Sequence, residues 1–291
     1  MENLGKAMRT VFVLLAVAGV VLAGSEELKQ AEELYNRTDY RASLAMLGAS
    51  PRDAASWSLA GRDYFMLGDY KKATDAFQHA IAIEPLRSEY VHWLGRTYGR
   101  RAETSSPLFA MGSASKARDC FERAVALDPK NAEALNDLFD YYLEAPGFMG
   151  GGYDKAADVA HRIAGLDPAE GHFAEALLAD KRKQTTTAEQ HFRRAAELAP
   201  YQVGRVLDLA KYLAKQRRYQ ESDAAFARAE QIAPNSPKVM FAKAKTLIQE
   251  KRKLDEARDL LKRYLNSNLT PEDAPREQAE KLLKQAETTG A

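Results

Sequence analysis

A recurring alternation of large and small residues is the feature that most constrains how this chain folds. Its clearest copy covers residues 54–85, where a Gly-Asp-Tyr break divides two helical halves and Pro85 closes the unit. The large residues are Trp57, Tyr64, Tyr70 and Phe77, and the small ones are Gly61, Ala73 and Ala80. Small residues let two helices approach closely, while aromatic side chains fill the space beside them. The stretch therefore predicts a hairpin of two antiparallel helices, with Gly68 in the turn and Asp69 as an N-cap.

The same alternation returns along most of the chain. Aromatic or apolar anchors recur at intervals of 32 to 44 residues, and an independent series of small anchors shows the same spacing. The first series is Phe77, Phe121, Ala160, Phe192, Phe226 and Leu261, and the second is Ala73, Ala117, Ala156, Ala188, Ser222 and Ala257. A period near 34 residues is typical of a helical repeat array. We expect a degenerate first repeat over residues 25–53, six repeats over 54–265, and a linker with a capping helix over 266–291.

These residues and this period resemble the tetratricopeptide repeat (TPR) family over roughly residues 26–287. The resemblance implies an all-α TPR solenoid, a right-handed superhelix of antiparallel helix hairpins with a C-terminal capping helix. It also implies that the first helix of each hairpin lines a concave groove, and that the chain binds other proteins or peptides. Because a fold does not fix a function, the departures from the pattern are the more informative part.

Two departures lengthen adjacent repeats between their first and second helices. One lies at residues 103–112 and the other at residues 146–152, and both are apolar at their centres. The apolar side chains are Leu108, Phe109, Met111, Phe148 and Met149. Stacked hairpins would bring the two insertions to one edge, where they either pack on each other or form an exposed apolar lip that contacts a partner.

The family resemblance also allows the first helices to be projected onto the groove. The predicted groove residues are Arg62, Phe65, Met66, His92, Arg96 and Arg100, then Asn136 and Asp140, and finally Lys211, Lys215, Phe241 and Lys245. The first helix of repeat five is slightly shortened and too irregular to project. The Lys/Asn carboxylate clamp of chaperone-binding members is not reproduced, since Ser58 and Arg62 occupy its positions in repeat two. Two interpretations of the three arginines stay open: they hold a carboxylate, or they are ordinary solvated charges.

The sequence predicts no enzyme, no metal site and no cofactor. No two of the five histidines stand three or four residues apart, the spacing that places two ligands on one helical face. The glycines at 150–152 lack the Gly-Lys-Ser/Thr ending of a phosphate loop, so flexibility in a widened turn is the better interpretation. Cys120 is the single cysteine, which excludes a disulfide within one chain.

The N-terminus has the pattern of an export signal. Lys6 and Arg9 precede the uncharged run Val11–Ala23, and small residues stand before Gly24. The uncharged stretch over residues 10–25 is short for a membrane span. We expect residues 1–23 to be a cleaved signal peptide, or an uncleaved anchor at residues 10–25. Either outcome would place the rest of the chain outside the cytoplasm, in a bacterial periplasm or secreted.

The leading functional hypothesis is a non-catalytic scaffold or adaptor that binds a protein segment in its groove. The alternatives are a self-assembling envelope-assembly or secretion component, which would form homo-oligomers, and a regulatory subunit or small-ligand binder. A formal net charge of +1 over 291 residues provides no field for nucleic acid or for an anionic membrane. Membrane contact is therefore expected only through an uncleaved N-terminal segment.

Overall fold

Helices follow one another through the whole described chain. The computed structural model describes residues 26–289, without the side chains of Pro107, Leu108 and Thr289, so the predicted signal peptide lies outside the described residues. Helix α1 covers residues 26–36. The later helices are α2 Tyr40–Leu47, α3 Ala54–Met66, α4 Tyr70–Ile83, α5 Ser88–Thr104, α6 Pro107–Leu127, α7 Ala132–Glu144, α8 Tyr153–Leu166, α9 Pro168–Lys181, α10 Thr185–Leu198, α11 Val203–Lys215, α12 Tyr219–Ile232, α13 Pro237–Gln249, α14 Leu254–Leu265 and α15 Arg276–Thr289.

The contacts between helices confirm an all-α solenoid of hairpins. Each helix from α3 onward packs on its successor in a pair, α3 with α4, α5 with α6, and so on to α13 with α14, while α15 covers α13 and α14 as a C-terminal cap. The chain divides between Leu127 and Asp128 into two compact units. Unit 1 holds α1–α6 and unit 2 holds α7–α15. None of the helices within residues 26–289 combines the length and apolar character required to cross a bilayer.

Close approach between paired helices depends on the small residues that the sequence places there. A Cβ atom added to Gly61 would lie 2.8 Å from the Phe77 ring. Phe77 is fully buried, as are Ala73 and Ala80 on the same helix. The ring therefore occupies the space that a larger residue at position 61 would need, which confirms the predicted role of Gly61.

Acidic and amide side chains begin several of these helices. The Asp69 carboxylate accepts from the backbone N–H of Lys72 at 3.2 Å, as predicted for an N-cap. Asp167 ends α8 and also caps α9, where it accepts from the N–H groups of Ala169 and Glu170. Pro168 stands at the first turn of α9, where its missing N–H has no cost. Helix α9 is thus a regular helix of 14 residues, so the expectation of a shortened, irregular first helix in repeat five was wrong.

The extra residues at 103–112 lengthen two helices instead of forming a loop. Helix α5 runs to Thr104 and α6 starts at Pro107, so only Ser105 and Ser106 separate them. The Ser106 carbonyl accepts from the N–H groups of Phe109 and Ala110, which begins α6 at once. Proline is well tolerated in a first turn, and few strong helix breakers follow it.

The segment at 146–152 is an ordered turn built around a short 3-10 helix, Gly147–Met149. The N–H groups of Gly150, Gly151 and Gly152 donate to the carbonyls of Gly147, Pro146 and Tyr142. A Cβ atom on Gly151 would lie 1.8 Å from the Ala145 carbonyl oxygen. Glycine is therefore required here by close packing, not by the flexibility that the sequence suggested. Because the amides are bonded within the chain, they do not form a phosphate cradle.

We expect Gly151→Ala to destabilise unit 2 by about 3 kcal/mol or more, because the methyl group would overlap a backbone oxygen. Gly147→Ala on the same turn is the matched control, since a Cβ there meets no atom within 4 Å. Chemical denaturation of both variants measures the difference. Equal stabilities of the two variants would contradict the close-packing explanation.

Candidate functional site

A recess in unit 2 is lined by the first helices of three consecutive hairpins. It encloses about 720 Å³ between the first helices α9, α11 and α13 and the segment 266–275 that follows α14. We call it the unit 2 recess. Its apolar lining comes from Phe173, Leu177, Phe192, Leu207 and Phe241, and its lysines are Lys211, Lys215, Lys238 and Lys245. Helices from three consecutive hairpins therefore contribute both apolar and basic side chains to one space.

Helical spacing explains why these residues meet. Phe173 and Leu177 are four residues apart on α9, Lys211 and Lys215 on α11, and Phe241 and Lys245 on α13. Residues at this spacing lie on one face of a helix, one above the other. The Phe241 ring packs on the Tyr264 ring, whose centroid is 5.2 Å away. Each first helix therefore directs one row of side chains, spaced four residues apart, into the recess.

Charges in the unit 2 recess are unequally neutralised. Lys215 lies 2.6 Å from Asp180, and Lys211 lies 2.9 Å from Asp208. Lys245 is half-buried and forms no ion pair within residues 26–289. Positive charge is therefore least compensated beside the Phe241 ring, where partial burial strengthens its attraction for an anion.

The four groove residues predicted in repeats six and seven all line this recess. Phe173, Leu177 and Asp180 of repeat five line it as well, and none of the three was among the predicted groove residues. The sequence signal that could have revealed the start of α9 was Asp167-Pro168. Asp167 caps α9 and Pro168 stands in its first turn, so the pair marks the beginning of a helix as well as the end of repeat four. Glu272 and Asp273, from the segment before α15, also contribute acidic groups that the projection did not include.

A second surface of unit 1 has its arginines on α3 and α5, and its aromatic rings come from α1, α3, α4 and α5. The Arg62 guanidinium carbon lies 4.4 Å from the Tyr35 ring centroid and 5.4 Å from that of Trp93. Arg96 lies 4.4 Å from the Trp93 centroid and 5.9 Å from that of Phe65. Arg100 lies 5.8 Å from the Tyr70 centroid and donates to its hydroxyl at 3.3 Å. We call these seven residues the arginine–aromatic surface.

His92 and Met66, which were also predicted to line the groove in unit 1, do not belong to the arginine–aromatic surface. His92 is only 1% exposed, and its ring packs 6.0 Å from the Phe121 ring of α6. Its inclusion in the groove was wrong, because the close pairing of α5 and α6 encloses it. Met66 is half-buried and packs against the apolar cluster that joins α1 to α3. Of this set, Arg62, Phe65, Arg96 and Arg100 are the ones that the structure brings together.

The predicted groove residues Asn136 and Asp140 lie on α7 of unit 2. Asn136 is half-buried there, and Asp140 lies one turn further along the helix. Desolvation, followed by the negative charges of Asp137 and Glu144, raises the pKa of Asp140 to about 6. Glu144 forms an ion pair of 2.6 Å with Lys181 on α9. Neither Asn136 nor Asp140 lines the unit 2 recess.

The apolar residues of the two lengthened segments are largely exposed. Phe109 is 69% exposed and Met111 49%, both on α6 of unit 1. Phe148 of unit 2 is 81% exposed, while Met149 is half-buried and its carbonyl accepts from the Tyr141 hydroxyl. The side chain of Leu108 lies outside the described part of the chain. Within its own unit, nothing covers Phe109 or Phe148.

Two histidines that are far apart in sequence meet in unit 2. The Nδ1 atoms of His172 on α9 and His191 on α10 are 2.9 Å apart. Desolvation, followed by the nearby His191 and Arg194, lowers the pKa of His172. The spacing of histidines along the sequence does not reveal this pair, because its two members come from different helices. Among residues 26–289, no group of three or more potential metal ligands occurs.

A buried carboxyl lies beside Arg62. The Asp63 carboxyl is fully buried and accepts from the Ser43 hydroxyl of α2 at 2.7 Å. Desolvation raises the pKa of Asp63 to about 7, although the Ser43 hydrogen bond and the Arg62 charge act in the opposite direction. The hydrogen bond joins α2 to α3, so the degenerate first hairpin is attached to the second by a titratable group.

Comparison with known proteins agrees with this architecture. Two family models, each described as tetratricopeptide repeat, match residues 54–87 and residues 207–274. The hairpins, the small residues at their close approaches and these matches define a helical repeat protein of the scaffold class. Residues 54–87 and 207–274 are thus tetratricopeptide repeats by sequence, and the other hairpins have the same fold. Proteins of this family generally bind protein partners and are typically non-catalytic.

Solved structures show the same fold at low sequence identity. A tetratricopeptide repeat protein from Parabacteroides merdae has a TM-score of 0.58 at 13% identity, over 91% of this chain and 99% of its own. A thermophilic repeat protein from Thermus thermophilus has a TM-score of 0.54 at 20% identity, over 66% of this chain and 99% of its own. A search of curated proteins finds no significant match. These similarities establish the fold and leave the partner to be inferred from the surfaces.

The pKa of Asp63 predicts a specific pH dependence of stability. A carboxyl whose pKa is raised in the folded state stabilises it fully below the unfolded value and loses that contribution as pH rises through about 7. The loss amounts to at most about 4 kcal/mol. An Asp63→Asn variant keeps an acceptor for Ser43 but cannot ionise, so the original chain should become progressively less stable than this variant between about pH 4 and pH 8. Thermal unfolding across this range measures the difference.

Asp75→Asn, at an exposed position on α4, is the control and should follow the pH dependence of the original chain. Parallel curves for the Asp63 variant and the original chain would contradict the assignment of a raised pKa to Asp63.

Proposed function

We propose that this protein is a non-catalytic scaffold that binds a segment of a partner protein in the unit 2 recess. The observation that carries the proposal is the convergence of apolar and lysine side chains from α9, α11 and α13 on one space of about 720 Å³. Ligand sites are concave and mostly apolar, with a few polar groups that fix orientation. The general role of the family in binding proteins supports a polypeptide as the occupant.

The recess favours a segment with apolar side chains and at least one carboxylate. Apolar groups of the segment would contact Phe173, Leu177 and Phe241, which are all partly exposed. The carboxylate would pair with Lys245, which has no ion pair within the described residues. Stacked hairpins hold these side chains in place before binding, and a preformed surface lowers the ordering cost of association.

We also propose that the protein binds its partner outside the cytoplasm. Its support is the sequence of the N-terminus, where Lys6 and Arg9 precede the uncharged run Val11–Ala23. An exported scaffold of this kind would meet its partner in a periplasm or in the extracellular medium.

A photoreactive benzoylphenylalanine at position 241 should crosslink a defined protein partner in native extract, because this position faces the recess. The same group at Arg228, exposed on α12, is the positional control and should capture no such partner. Adding Lys245→Glu should reduce the crosslinked product about ten-fold, as expected for loss of one charged hydrogen bond.

Lys284→Glu on α15 makes the same change of charge at an exposed lysine and should leave the yield unchanged. Equal crosslinking from positions 241 and 228, or no protein product from position 241, would contradict binding in the recess.

Export predicts that the mature chain begins after Ala23. Mass spectrometry of the protein from its native source measures this N-terminus, and cell fractionation measures its compartment. An intact Met1 on protein recovered from the envelope would contradict cleavage and leave the anchor. Recovery of the whole population from the cytoplasm would contradict export.

A further inference from the structure

We propose that His172 and His191 form a two-ligand binding site for a divalent transition metal ion, with copper(II) bound most tightly. The site goes beyond the proposed function, because neither histidine lines the unit 2 recess. The sequence indicated no metal site because no two histidines stand three or four residues apart, whereas these two ligands come from α9 and α10.

The two ring nitrogens already have a separation that a metal ion accepts. The Nδ1 atoms of His172 and His191 lie 2.9 Å apart. Two imidazole nitrogens at about 2.0–2.1 Å from one ion stand about 2.9 Å apart when they bind at a right angle, and about 3.3 Å apart in a tetrahedron. The observed separation therefore matches neighbouring corners of the tetragonal arrangement that copper(II) and nickel(II) adopt, with water in the remaining positions.

Only a small adjustment of the rings is required. The ring centroids of His172 and His191 are 5.1 Å apart and the ring planes differ by 44°. The two nitrogens therefore oppose each other, and a modest rotation of each ring directs both lone pairs to one ion. Both side chains are half-buried, so water and a small ion reach them from one side.

Close helix packing fixes the backbone positions of both ligands. A Cβ atom added to Gly171, which precedes His172, would lie 2.3 Å from an alanine Cβ atom of α8. On α10, Ala188 and Ala195 stand one turn before and one turn after His191, and both are fully buried. The two ligands are thus held on packed helices before a metal ion binds, which lowers the cost of binding.

The hydrogen bond between the rings allows a simple exchange of proton for metal. One neutral ring must donate its Nδ1–H to the Nδ1 atom of the other. Neither Nε2 atom has a hydrogen-bond partner within residues 26–289. When the ion binds, the donor ring releases its Nδ1 proton to water and takes one on Nε2. Both rings stay neutral and bind through Nδ1, so the exchange has no net uptake or release of protons.

The charges around the pair tolerate a cation. Glu175, one turn further along α9, and Arg194, one turn further along α10, are the charged groups that act on His172. Glu197 forms an ion pair of 3.1 Å with Arg194 and partly neutralises it. The Glu175 carboxylate therefore attracts an incoming ion. Imidazole ligands favour copper, nickel and zinc, whereas magnesium prefers oxygen ligands and is not expected to bind.

The test titrates the full chain, without an affinity tag, with copper(II) chloride near neutral pH and follows binding by isothermal titration calorimetry. We expect a highest-affinity site of one copper ion per chain, weaker binding of nickel(II) and zinc(II), and no binding of magnesium. Electron paramagnetic resonance of the copper complex should show two imidazole nitrogens bound to the ion.

His172→Asn and His191→Asn should each weaken this site about ten-fold or more, because the remaining ring binds without a second linked ligand. Asparagine places an amide near the Nδ1 position, so the hydrogen bond between α9 and α10 can persist without the metal ligand. His161→Asn removes an exposed histidine from α8 of the same unit and is the matched control, with copper binding as in the original chain.

Thermal unfolding gives a second measurement. Nickel(II) should raise the unfolding temperature of the original chain and of the His161→Asn control, because it binds only the folded arrangement of the two rings. The His172→Asn and His191→Asn variants should show no such rise. Circular dichroism without metal verifies that each variant is folded.

Three results would overturn the proposal. The first is equal copper affinity in the original chain and in the folded His172→Asn variant, which would indicate binding to isolated histidines or to other groups. The second is a resonance spectrum with a single imidazole nitrogen. The third is an unfolding temperature that nickel(II) changes equally in the original chain and in both asparagine variants of the pair.

Discussion

The close approach of two helices at a small residue is the constraint on which the rest of the structure depends. In the second hairpin the Phe77 ring occupies the position where a Cβ of Gly61 would stand, and in the third Phe121 does the same opposite Gly95. A hairpin packed in this way still has an apolar outer face, which only the next hairpin can bury. Stacking then fixes the direction of each first helix, and with it the side chains that reach the binding surfaces.

Both candidate surfaces use long cationic side chains from first helices, but they hold them differently. In unit 2, acidic neighbours fix two of the lysines, as Asp180 does for Lys215, and leave Lys245 uncompensated beside an aromatic ring. In unit 1, aromatic rings contact both Arg62 and Arg96. Ion pairs reduce net charge, whereas cation–π contacts leave it intact.

Sequence patterns were sufficient to predict the features that depend on residues close together in the chain. The period, the role of Gly61 and the Asp69 cap depend on neighbours within one hairpin, so a single sequence reveals them. The expectation for repeat five failed because Pro168 both follows one helix and begins the next, and the two uses look alike in sequence. The extra residues at 103–112 were expected to lie between two helices, yet most of them extend those helices, because adding residues to an existing helix is easier than starting a new one.

The sequence by itself determined the repeat and the fold of paired helices, since these follow from periodicity and residue size. Only the tertiary structure decided which side chains of the first helices are open to solvent and which are enclosed. It enclosed His92 between α5 and α6, joined His172 to His191 across two helices, and added Phe173 to the lysines of α11 and α13. The physical reason is that burial and contact between helices depend on the distance of approach, which a helical projection of one segment does not contain.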